Sequence, residues 1–330
     1  MITRRRALGV AVSLAFSGGL AAAPTSARAQ GAKDFPVKPI TLIVPWNAGG
    51  NTDIYFRALG DAASKELGQP VVVDNRTGGS GTLGPATMAL AAKPDGYTLA
   101  QLPIGVFRLP IMQKMSWDPQ KDFTFVIHVS GYVLGVTAKA DGPFKTWADV
   151  VKKAKEEPGK LTYATNGPAT TPHIGMEQIA GMAGVKLTMV PFKGGAETNA
   201  AMLGGHVDLQ VDSTVWQPLV EAGQLRVLML WTGERNKRWP DVPMLKELGY
   251  PFIFDSPFGI GGPKGMDPAV VEKLHLAFKK ALADPKVKEI MDKYDFVERY
   301  MSPADYTKFV PEIIANEKAA LQKLGLVRKE

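Results

Sequence analysis

Glycine-rich loops follow two successive strand-like runs near the start of the folded region. Pro45 to Asp53 come after the apolar run Ile40 to Val44, and Thr77 to Gly84 come after Val71 to Val73. Glycines at a strand-to-helix turn leave N–H groups free at the positive end of the helix, which is a general way of holding an anion. Neither loop has P-loop spacing or the full dinucleotide-binding fingerprint, and either alone is equally typical of a tight turn. The pair together favours an anion site.

Two further loops of this kind occur in the middle of the chain. Tyr163 to His173 and Val190 to Gly195 each follow a strand-like run, and the first is rich in hydroxyl and amide side chains. Such side chains can bond a ligand and also cap the next helix. We expect these two loops to form the opposite wall of a cleft.

Motifs for catalysis and metal binding are sparse. Gly78 to Thr82 imitates a serine nucleophile elbow around Ser80, but the last residue is not the glycine of that pattern. The four histidines have no metal-ligand spacing, and His173 is the one placed in a candidate pocket loop. Asp208 and Asp212 lie four residues apart, where a carboxylate holds a loop as readily as it performs acid chemistry. The sequence predicts no catalytic residue, no metal site and no cofactor.

Short apolar runs alternate with helical segments, which is the pattern of an α/β protein with parallel sheets. The clearest helix spans Trp147 to Glu157, with a capping box of Thr146 and Asp149 and a stop at Pro158-Gly159. From Asp267 onwards the pattern is mostly helical. The predicted strands are Ile40 to Val44, Val71 to Val73, Tyr97 to Leu102, Phe125 to Val129, Leu161 to Ala164, Leu187 to Val190, Val207 to Val211 and Arg226 to Trp231.

Two extended segments, Tyr132 to Ala138 and Phe252 to Ile260, interrupt the alternation at either end of the middle block. We interpret them as crossings between two lobes. Residues 35–138 and 255–330 then form one lobe, and residues 139–254 form the other. Because open α/β sheets bind ligands at the carboxyl ends of their strands, we expect a cleft that closes by hinge bending.

The first 29 residues predict an export signal. Arg4, Arg5 and Arg6 precede an apolar stretch, and Ala27-Arg28-Ala29 provides a small-x-small pattern for cleavage near Ala29. Polar residues and glycines interrupt the stretch, which argues against a permanent membrane anchor. The arginines also resemble a twin-arginine signal, so the general secretory and twin-arginine routes both remain open. We expect the mature protein to be free in the periplasm.

The composition excludes several classes of protein. With 330 residues, 45% hydrophobic and 22% charged, the chain is an ordinary globular protein of about two domains. The formal charge of +7 falls to +3 when the four arginines of the signal are removed, so we expect no nucleic-acid partner. The chain has no cysteine, which excludes disulfides, thiolate metal sites and a lipid-modified cysteine.

Taken in order, the loops resemble those of the periplasmic receptors of tripartite tricarboxylate transporters, the Bug-type solute-binding family. The similarity covers essentially the whole mature chain. In the first lobe it rests on Pro45 to Asp53, Val71 to Arg76, Gly81 to Gly84, Lys93 to Leu99 and Asp118 to Phe123; in the second it rests on Pro158 to Ala164, Val190 to Gly194, Leu203 to Asp208, Ala222 to Arg226 and Pro240 to Pro243.

The resemblance implies an α/β, type II periplasmic binding protein fold: two doubly wound lobes around a ligand cleft, the Venus flytrap arrangement. It implies a small carboxylate ligand, either a di- or tricarboxylate or an aromatic carboxylic acid. It also implies delivery to the integral-membrane permease subunits of a tripartite tricarboxylate transporter, and we expect a monomer. The ligand contacts that it assigns are Trp46, Asn47, Ala48, Gly49, Thr52, Asp53, Gly81, Thr82 and Leu83 in the first lobe and Thr165, Asn166, Thr170, His173, Phe192, Lys193, Gly194 and Asp212 in the second.

Two departures from the family pattern lie near the expected cleft. Ala169-Thr170 stands where the family more often has Gly-Ser, and the segment Ser256 to Gly259 lacks the usual tryptophan. The resemblance therefore does not fix the ligand. Two alternatives to transport remain open: a periplasmic ligand sensor for a signalling partner, and a periplasmic hydrolase that uses Ser80 and His173.

Overall fold

The computed structural model describes residues 34–252, 254 and 256–328. The predicted export signal and its cleavage site lie outside these residues. Within the described part of the chain, no helix combines the length and the apolar character needed to cross a bilayer.

The first part of the chain alternates strands and helices almost as predicted. It contains β1 (Ile40–Val44), α1 (Asn51–Leu67), β2 (Val71–Asn75), α2 (Leu83–Ala91), β3 (Thr98–Leu102), α3 (Gly105–Met112) and β4 (Phe123–Gly131). The apolar runs become strands because they are buried; in β1, four of the five residues are inaccessible to solvent. A short 3-10 helix, Gly79–Gly81, leads into α2.

The middle block contains a second series of elements. These are β5 (Leu134–Lys139), α4 (Trp147–Glu156), β6 (Thr162–Thr165), α5 (Thr171–Ala183), β7 (Thr188–Pro191), α6 (Gly195–Leu203), β8 (Leu209–Ser213), α7 (Gln217–Glu221) and β9 (Leu225–Leu230). The capping box at the start of α4 is confirmed: Asp149 N–H donates to Thr146 Oγ1, and Thr146 N–H donates to the Asp149 carboxylate at 2.8 Å. A 3-10 helix, Thr214–Trp216, joins β8 to α7.

The last part of the chain returns to the first series. It forms β10 (Pro257–Pro263), α8 (Pro268–Ala281), α9 (Pro285–Lys293), β11 (Val297–Met301) and α10 (Pro303–Lys323). The sequence predicts a mostly helical pattern after Asp267 and no strand there, so β11 is an addition. It is missed because most of its residues are exposed, and an edge strand of this kind carries no apolar run.

The strands form two mixed sheets rather than wholly parallel ones. The first sheet has the order β11-β4-β10-β3-β1-β2, and the second has the order β7-β6-β8-β5-β9. In the first, β10 runs antiparallel to both β3 and β4; in the second, β5 runs antiparallel to both β8 and β9. The other central pairings are parallel, as expected for strands joined by helical crossovers.

The chain passes between the sheets earlier than the sequence predicts. Strand β4 ends at Gly131 in the first sheet and β5 begins at Leu134 in the second, so the predicted boundary at residue 138 falls inside β5. The passage is therefore Tyr132-Val133. An extended segment and a strand look alike in sequence, and only the pairing with β8 and β9 separates them. The return segment lies beside this passage, since Tyr132 N–H donates to Ser256 O at 3.3 Å.

Each sheet has its own apolar core. Phe107, Phe125 and Tyr306 pack around the first sheet, whereas Trp147, Tyr163 and Trp231 pack around the second. Burying a phenylalanine side chain of this kind stabilises a fold by about 1.5 to 3 kcal/mol. The cores thus hold each sheet and its helices as a unit, which leaves the polar ends of the strands between them for the site.

Strand β10 depends on a glycine where α10 packs on the first sheet. A Cβ at Gly259 would lie 2.5 Å from the Tyr306 ring and 2.6 Å from Ile127 O, which is backbone and cannot move aside. We expect Gly259→Ala to lower the free energy of unfolding by about 1 to 3 kcal/mol in urea denaturation. Gly181→Ala in α5 is the control, because nothing lies within 4 Å of its Cβ position. It should be neutral or stabilising by up to about 1 kcal/mol, and equal destabilisation of the two variants would contradict this packing.

Candidate functional site

A small cavity lies between the two sheets, at the ends of their strands. It measures about 50 Å³, and both halves of the chain contribute to its wall. The first series, the passage and the return segment supply Trp46, Gly50, Asn51, Thr52, Ser80, Pro103, Ile104, Gly105, Tyr132 and Ser256; the second series supplies Leu134, Asn166, Thr170, Thr171, Pro172, Gly195, Asp212 and Ser213.

Four helices begin at this cavity without a side-chain cap. They are α1, α3, α5 and α6, and the first residue of each (Asn51, Gly105, Thr171 and Gly195) lines the cavity. By contrast α4, α8, α9 and α10, which begin elsewhere, are each capped by an aspartate, serine or threonine side chain. An uncapped helix start presents N–H donors and a partial positive charge of roughly half an electron. The cavity wall can therefore bind an anion through its backbone.

The helix starts remain uncapped because of the residues at the capping positions. Glycines precede α1 and α6 at Gly50 and Gly194, and an isoleucine precedes α3. Thr170 precedes α5, but its hydroxyl donates to Gly167 O at 2.8 Å and does not accept from the helix. Glycine and isoleucine have no side-chain oxygen with which to accept the N–H groups of the first turn. The glycine-rich loops thus leave the donors available.

The cavity lacks a positively charged wall. Among the described residues that line it, none is lysine, arginine or histidine. The buried Arg108 lies nearby, but its guanidinium is held by Glu317, by Ala169 O at 2.9 Å and by Thr171 Oγ1 at 3.2 Å. These bonds join α3 to the loop before α5 and so connect the two halves of the site. An anion in the cavity must then be held by neutral donors.

Tyr132 brings a hydroxyl from the inter-sheet passage to the cavity. Its oxygen lies 2.9 Å from Thr52 Oγ1, and it accepts from Gln101 Nε2 at 3.0 Å. Burial raises the pKa of Tyr132 above its usual value, against the hydrogen bonds from Thr52 and Gln101. The phenol is therefore neutral at neutral pH and provides both a donor and an acceptor.

Asp212 is the acidic side chain of the cavity wall. It is 1% exposed, and its Oδ1 accepts from Asn166 Nδ2 at 2.8 Å and from Ser213 N–H at 2.7 Å. Its Oδ2 accepts from Thr198 Oγ1 at 2.7 Å. Burial raises the pKa of Asp212 to about 6, although the hydrogen bonds from Thr198, Ser213 and Asn166 favour the ionised form. The carboxylate is thus mostly ionised at neutral pH, in a site that otherwise suits anions.

Side chains on the two halves also meet directly. Asn51 Nδ2, at the start of α1, donates to Ser213 Oγ at 3.1 Å, and Asn47 N–H donates to Lys193 O at 3.3 Å. The two halves are therefore in contact around the cavity, with hydrogen bonds between residues more than 140 positions apart in the chain.

Of the residues that the resemblance assigns to the ligand, some line the cavity and others support it. Those in the wall are Trp46, Thr52, Asn166, Thr170 and Asp212. Their role as ligand contacts stays a prediction. The rest lie outside the wall, for reasons that differ between the loops.

In the loop after β1, four predicted contacts lie outside the cavity wall. Ala48 and Gly49 are exposed, and Asn47 bonds to the second half of the chain as described above. Asp53 is buried but turned away: its carboxylate accepts from Gly49 N–H at 2.9 Å, from Asn75 Nδ2 at 2.8 Å and pairs with Arg57. These bonds lower the pKa of Asp53 against the effect of its burial. Asp53 therefore holds the loop.

In the loop before α2, the predicted contacts Gly81, Thr82 and Leu83 also lie outside the wall. Gly81 lies under Trp46, because a Cβ there would be 2.5 Å from the indole ring. Thr82 donates to Gly79 O at 2.6 Å, and Leu83 is 55% exposed. The loop supports the cavity through Trp46, and Ser80 is the residue that it places in the wall.

In the second half, five predicted contacts lie behind or beside the wall. Thr165 is buried next to Thr170, with their hydroxyls 3.4 Å apart, and Phe192 packs against the core around Trp216. Gly194 contacts Asn47, and Lys193 is exposed with its N–H bonded to Glu197. His173 Nδ1 accepts from Ala169 N–H at 3.1 Å, and burial lowers the pKa of His173, so its ring is neutral and holds the loop.

Several wall residues escape prediction from the sequence. Asn51 and Ser213 stand next to predicted contacts, so a search of the same loops for amides and hydroxyls could find them. Tyr132 and Ser256 lie on the two segments between the sheets; the family resemblance places Ser256 near the cleft, but no sequence signal shows that the Tyr132 side chain faces a cavity. Gly105 begins α3 shortly after a strand that the sequence predicts. Its position after that strand is the signal that could have identified Gly105 as a wall residue.

Comparisons with known proteins find relatives that match most of the chain. A family model described as the tripartite tricarboxylate transporter family receptor matches residues 55–326. A protein from Cupriavidus necator, named UPF0065 protein in gbd 5'region, is 47% identical over 312 residues, or 94% of each chain.

Two solved structures with bound carboxylates share the fold. Rpa4515 of R. palustris with adipate has a TM-score of 0.83 and 29% identity, covering 89% of this chain and 99% of that one. MatC from Rhodopseudomonas palustris with bound malate has a TM-score of 0.81 and 27% identity, covering 87% of this chain and 100% of that one.

The buried Asp212 should make the stability of the protein depend on pH. Its pKa of about 6 in the folded protein exceeds the 3.8 of an unperturbed aspartate, so between these values the folded form holds a proton that the unfolded chain releases. Stability contributed by Asp212 is therefore lowest above pH 6 and rises as the pH falls towards 4. Relative to Asp212→Asn, wild type should gain roughly 1 to 3 kcal/mol between pH 7 and pH 4.5 in urea denaturation.

The matched control is Asp208→Asn, which removes a half-buried carboxylate just before the same strand. Asp208 accepts from Thr162 N–H and Oγ1, away from the cavity wall. A difference between wild type and Asp212→Asn that stays constant over this pH range would show that Asp212 titrates as an ordinary aspartate.

Proposed function

Because the chain belongs to the receptor family of tripartite tricarboxylate transporters, we propose that it captures a particular small carboxylate in the cavity between its sheets and delivers it to the permease of such a transporter. The proteins of this family are periplasmic solute-binding receptors, not enzymes. The hydrolase alternative built on Ser80 and His173 is therefore set aside.

The observation that carries the proposal is the set of four uncapped helix starts around a cavity without a cationic wall. Charge-assisted hydrogen bonds from N–H groups to a carboxylate contribute roughly 1.5 to 3 kcal/mol each. Two or three such bonds hold an anion without a salt bridge. The malate bound by MatC and the adipate bound by Rpa4515 support a small carboxylate as the ligand, without naming which one.

The ligand contacts that we propose are the polar residues of the wall. On the first side they are Trp46, Asn51 and Thr52 with the starts of α1 and α3. On the second side they are Asn166, Thr170 and Asp212 with the starts of α5 and α6. Tyr132 lies between the two groups and contacts the first through Thr52 and Gln101.

We further propose that the two sheets belong to lobes that move about the inter-sheet segments. One lobe comprises residues 35–131 and 256–328, and the other comprises the block from β5 to residue 254. The bonds of Asn51 to Ser213 and of Arg108 to Ala169 belong to the closed arrangement. Export through the predicted signal, cleaved near Ala29, would place the mature receptor in the periplasm beside the permease.

Binding of a small carboxylate should depend on open space at Gly50. Gly50 lines the cavity with extended backbone (φ −74°, ψ 162°), and a Cβ there would meet nothing nearer than Asn47 O at 3.6 Å and Ala196 N at 3.8 Å. A Cβ atom therefore fits at this position, and we expect the two methyl groups of valine to fill the space between the starts of α1 and α6. We expect Gly50→Val to reduce affinity at least about tenfold, or 1.4 kcal/mol, in calorimetry with the best acid from a thermal-shift screen of mono-, di- and tricarboxylates.

Lys193→Met is the control for attraction by a side-chain charge. Because Lys193 is exposed and outside the wall, its loss should change affinity less than about threefold. Loss of binding in Lys193→Met with normal binding in Gly50→Val would contradict backbone recognition. Failure of every carboxylate in the screen to raise the melting temperature would contradict the function itself.

Closure of the lobes should be visible in solution. Saturating ligand should reduce the radius of gyration measured by small-angle X-ray scattering, because the closed form brings the starts of α1 and α6 together. Arg108→Gln removes the ion pair with Glu317 and weakens the bonds to Ala169 and Thr171, so this variant should need a higher ligand concentration for the same compaction. An unchanged radius at saturation in the wild-type protein would contradict hinge closure.

A further inference from the structure

Two residues with hydrogen-bond acceptors, Asn166 and Asp212, lie side by side in the cavity wall. Asn166 Nδ2 donates to Asp212 Oδ1, so the orientation of this amide is determined and its Oδ1 points elsewhere. That Oδ1 atom is buried and has no hydrogen-bond partner. Asn166 and Asp212 both line the cavity. A buried acceptor without a donor destabilises a structure by about 1 to 3 kcal/mol unless a ligand or water supplies one.

The second oxygen of Asp212, Oδ2, shares its hydrogen-bond donor with another acceptor. Thr198 Oγ1 lies 2.7 Å from Asp212 Oδ2 and 2.9 Å from Gly195 O, and it also accepts from Gln210 Nε2 at 2.9 Å. A hydroxyl has one proton, so it can serve only one of the two acceptors at a time. Asp212 Oδ2 therefore has capacity for a second donor from the cavity.

The charged groups on the surrounding elements do not neutralise Asp212. On the first side, Asp53 pairs with Arg57, and Arg108 pairs with Glu317. Both arginines are thus held by carboxylates of their own.

On the second side, the groups are acidic or neutral. Glu197 on α6 is acidic and accepts from Lys193 N–H, while Glu177 on α5 accepts from Tyr163. The His173 ring accepts a backbone N–H, which requires its neutral form at Nδ1, and the buried Tyr132 phenol is also neutral. The Lys193 side chain is exposed to solvent.

We propose that Asn166 and Asp212 select, among small carboxylates, those whose other end carries a hydrogen-bond donor, a hydroxyl or an ammonium group, and reject those with a second carboxylate there. This inference rests on the proposed function and names the class of its ligand. The carboxylate binds at the uncapped helix starts, and the donor binds Asn166 Oδ1 and Asp212 Oδ2. A second carboxylate would face these acceptors without a compensating cation, and like charges in a buried site repel strongly.

The test is calorimetry at pH 7.5 with matched acids of three to six carbons. Each length is represented by an n-alkanoate, an ω-hydroxyalkanoate, an ω-aminoalkanoate and an α,ω-dicarboxylate. At the best length, we expect the hydroxy or amino acid to bind at least about tenfold more tightly than the matched alkanoate and dicarboxylate. The hydroxy and amino acids separate the two kinds of donor.

Variants of the acceptor residue provide the second arm. Asp212→Asn keeps the shape but removes the charge, so it should lose at least about tenfold in affinity for the donor-bearing acid and should gain affinity for the dicarboxylate. Asp208→Asn is the matched control, because Asp208 precedes the same strand and is not in the wall. It should bind all four acids as the wild type does. Circular dichroism checks that each variant is folded. If Asp212→Asn does not fold, the order of affinities of the four acids for the wild-type protein still tests the proposal.

The outcomes separate this inference from the function on which it rests. Equal or tighter wild-type binding of dicarboxylates, or an unchanged ranking in folded Asp212→Asn, overturns donor selection and leaves carboxylate binding intact. Dicarboxylate binding with uptake of one proton, measured in two buffers of different ionisation enthalpy, also overturns it, because Asp212 would then itself be the donor. Absence of binding by any acid overturns the proposed function as well.

Discussion

Each α-helix begins with N–H groups that have no acceptor within the helix. Most helices of this protein fall into two sets, according to whether a capping side chain accepts hydrogen bonds from these groups. Where α4, α8, α9 and α10 begin, an aspartate, serine or threonine side chain accepts them. Where α1, α3, α5 and α6 begin, the side chain at the capping position does not do so, although Asn51 Oδ1 accepts from Thr52 N–H in α1, and these starts converge on the cavity. The uncapped α2 and α7 continue from 3-10 helices next to the wall residues Ser80 and Ser213. The fold thus places its unsatisfied donors in one region.

This arrangement explains why the site does not need an arginine or lysine. Partial charges at helix starts are fixed by the backbone, so they require neither a long side chain to be ordered nor a counter-ion when the cavity is empty. The nearby Arg108 has a different use, since it connects α3 to the loop before α5 and is neutralised by Glu317. The cavity can then keep an acidic residue, Asp212, in its wall. The balance between donors and acceptors would decide which anions fit.

Much of the fold could be predicted from the sequence, because short apolar runs mark buried strands and capping residues mark the starts of helices. The strand Ile40–Val44 and the capping box at Thr146 follow from such local signals. The strand β5 could not be separated from an extended crossing, because its identity depends on pairing with β8 and β9. The exposed strand β11 has no apolar pattern to reveal it.

The site was less accessible to prediction than the fold. The glycine-rich loops identify the right region, yet the predicted contacts Leu83 and Lys193 are exposed to solvent, and the sequence does not show which residues of a loop face the cavity. Tyr132 and Gln101 meet at the cavity through contacts between distant parts of the chain. Contacts of that kind are created by the packing of the two sheets, and no local sequence pattern encodes them.

Tyr132 occupies the passage between the sheets with its backbone and the cavity with its hydroxyl. In the proposed lobe movement, rotation of the backbone at this passage would move the hydroxyl relative to Thr52 and Gln101, so the hinge and the pocket would share one side chain. With lobes that move as proposed, whatever steadies that hydroxyl also slows the opening of the lobes. The residence time of the ligand and the lifetime of the closed form would then be the same. A membrane partner that recognises the closed form would have only that lifetime in which to bind, and contacts inside the cavity would set it.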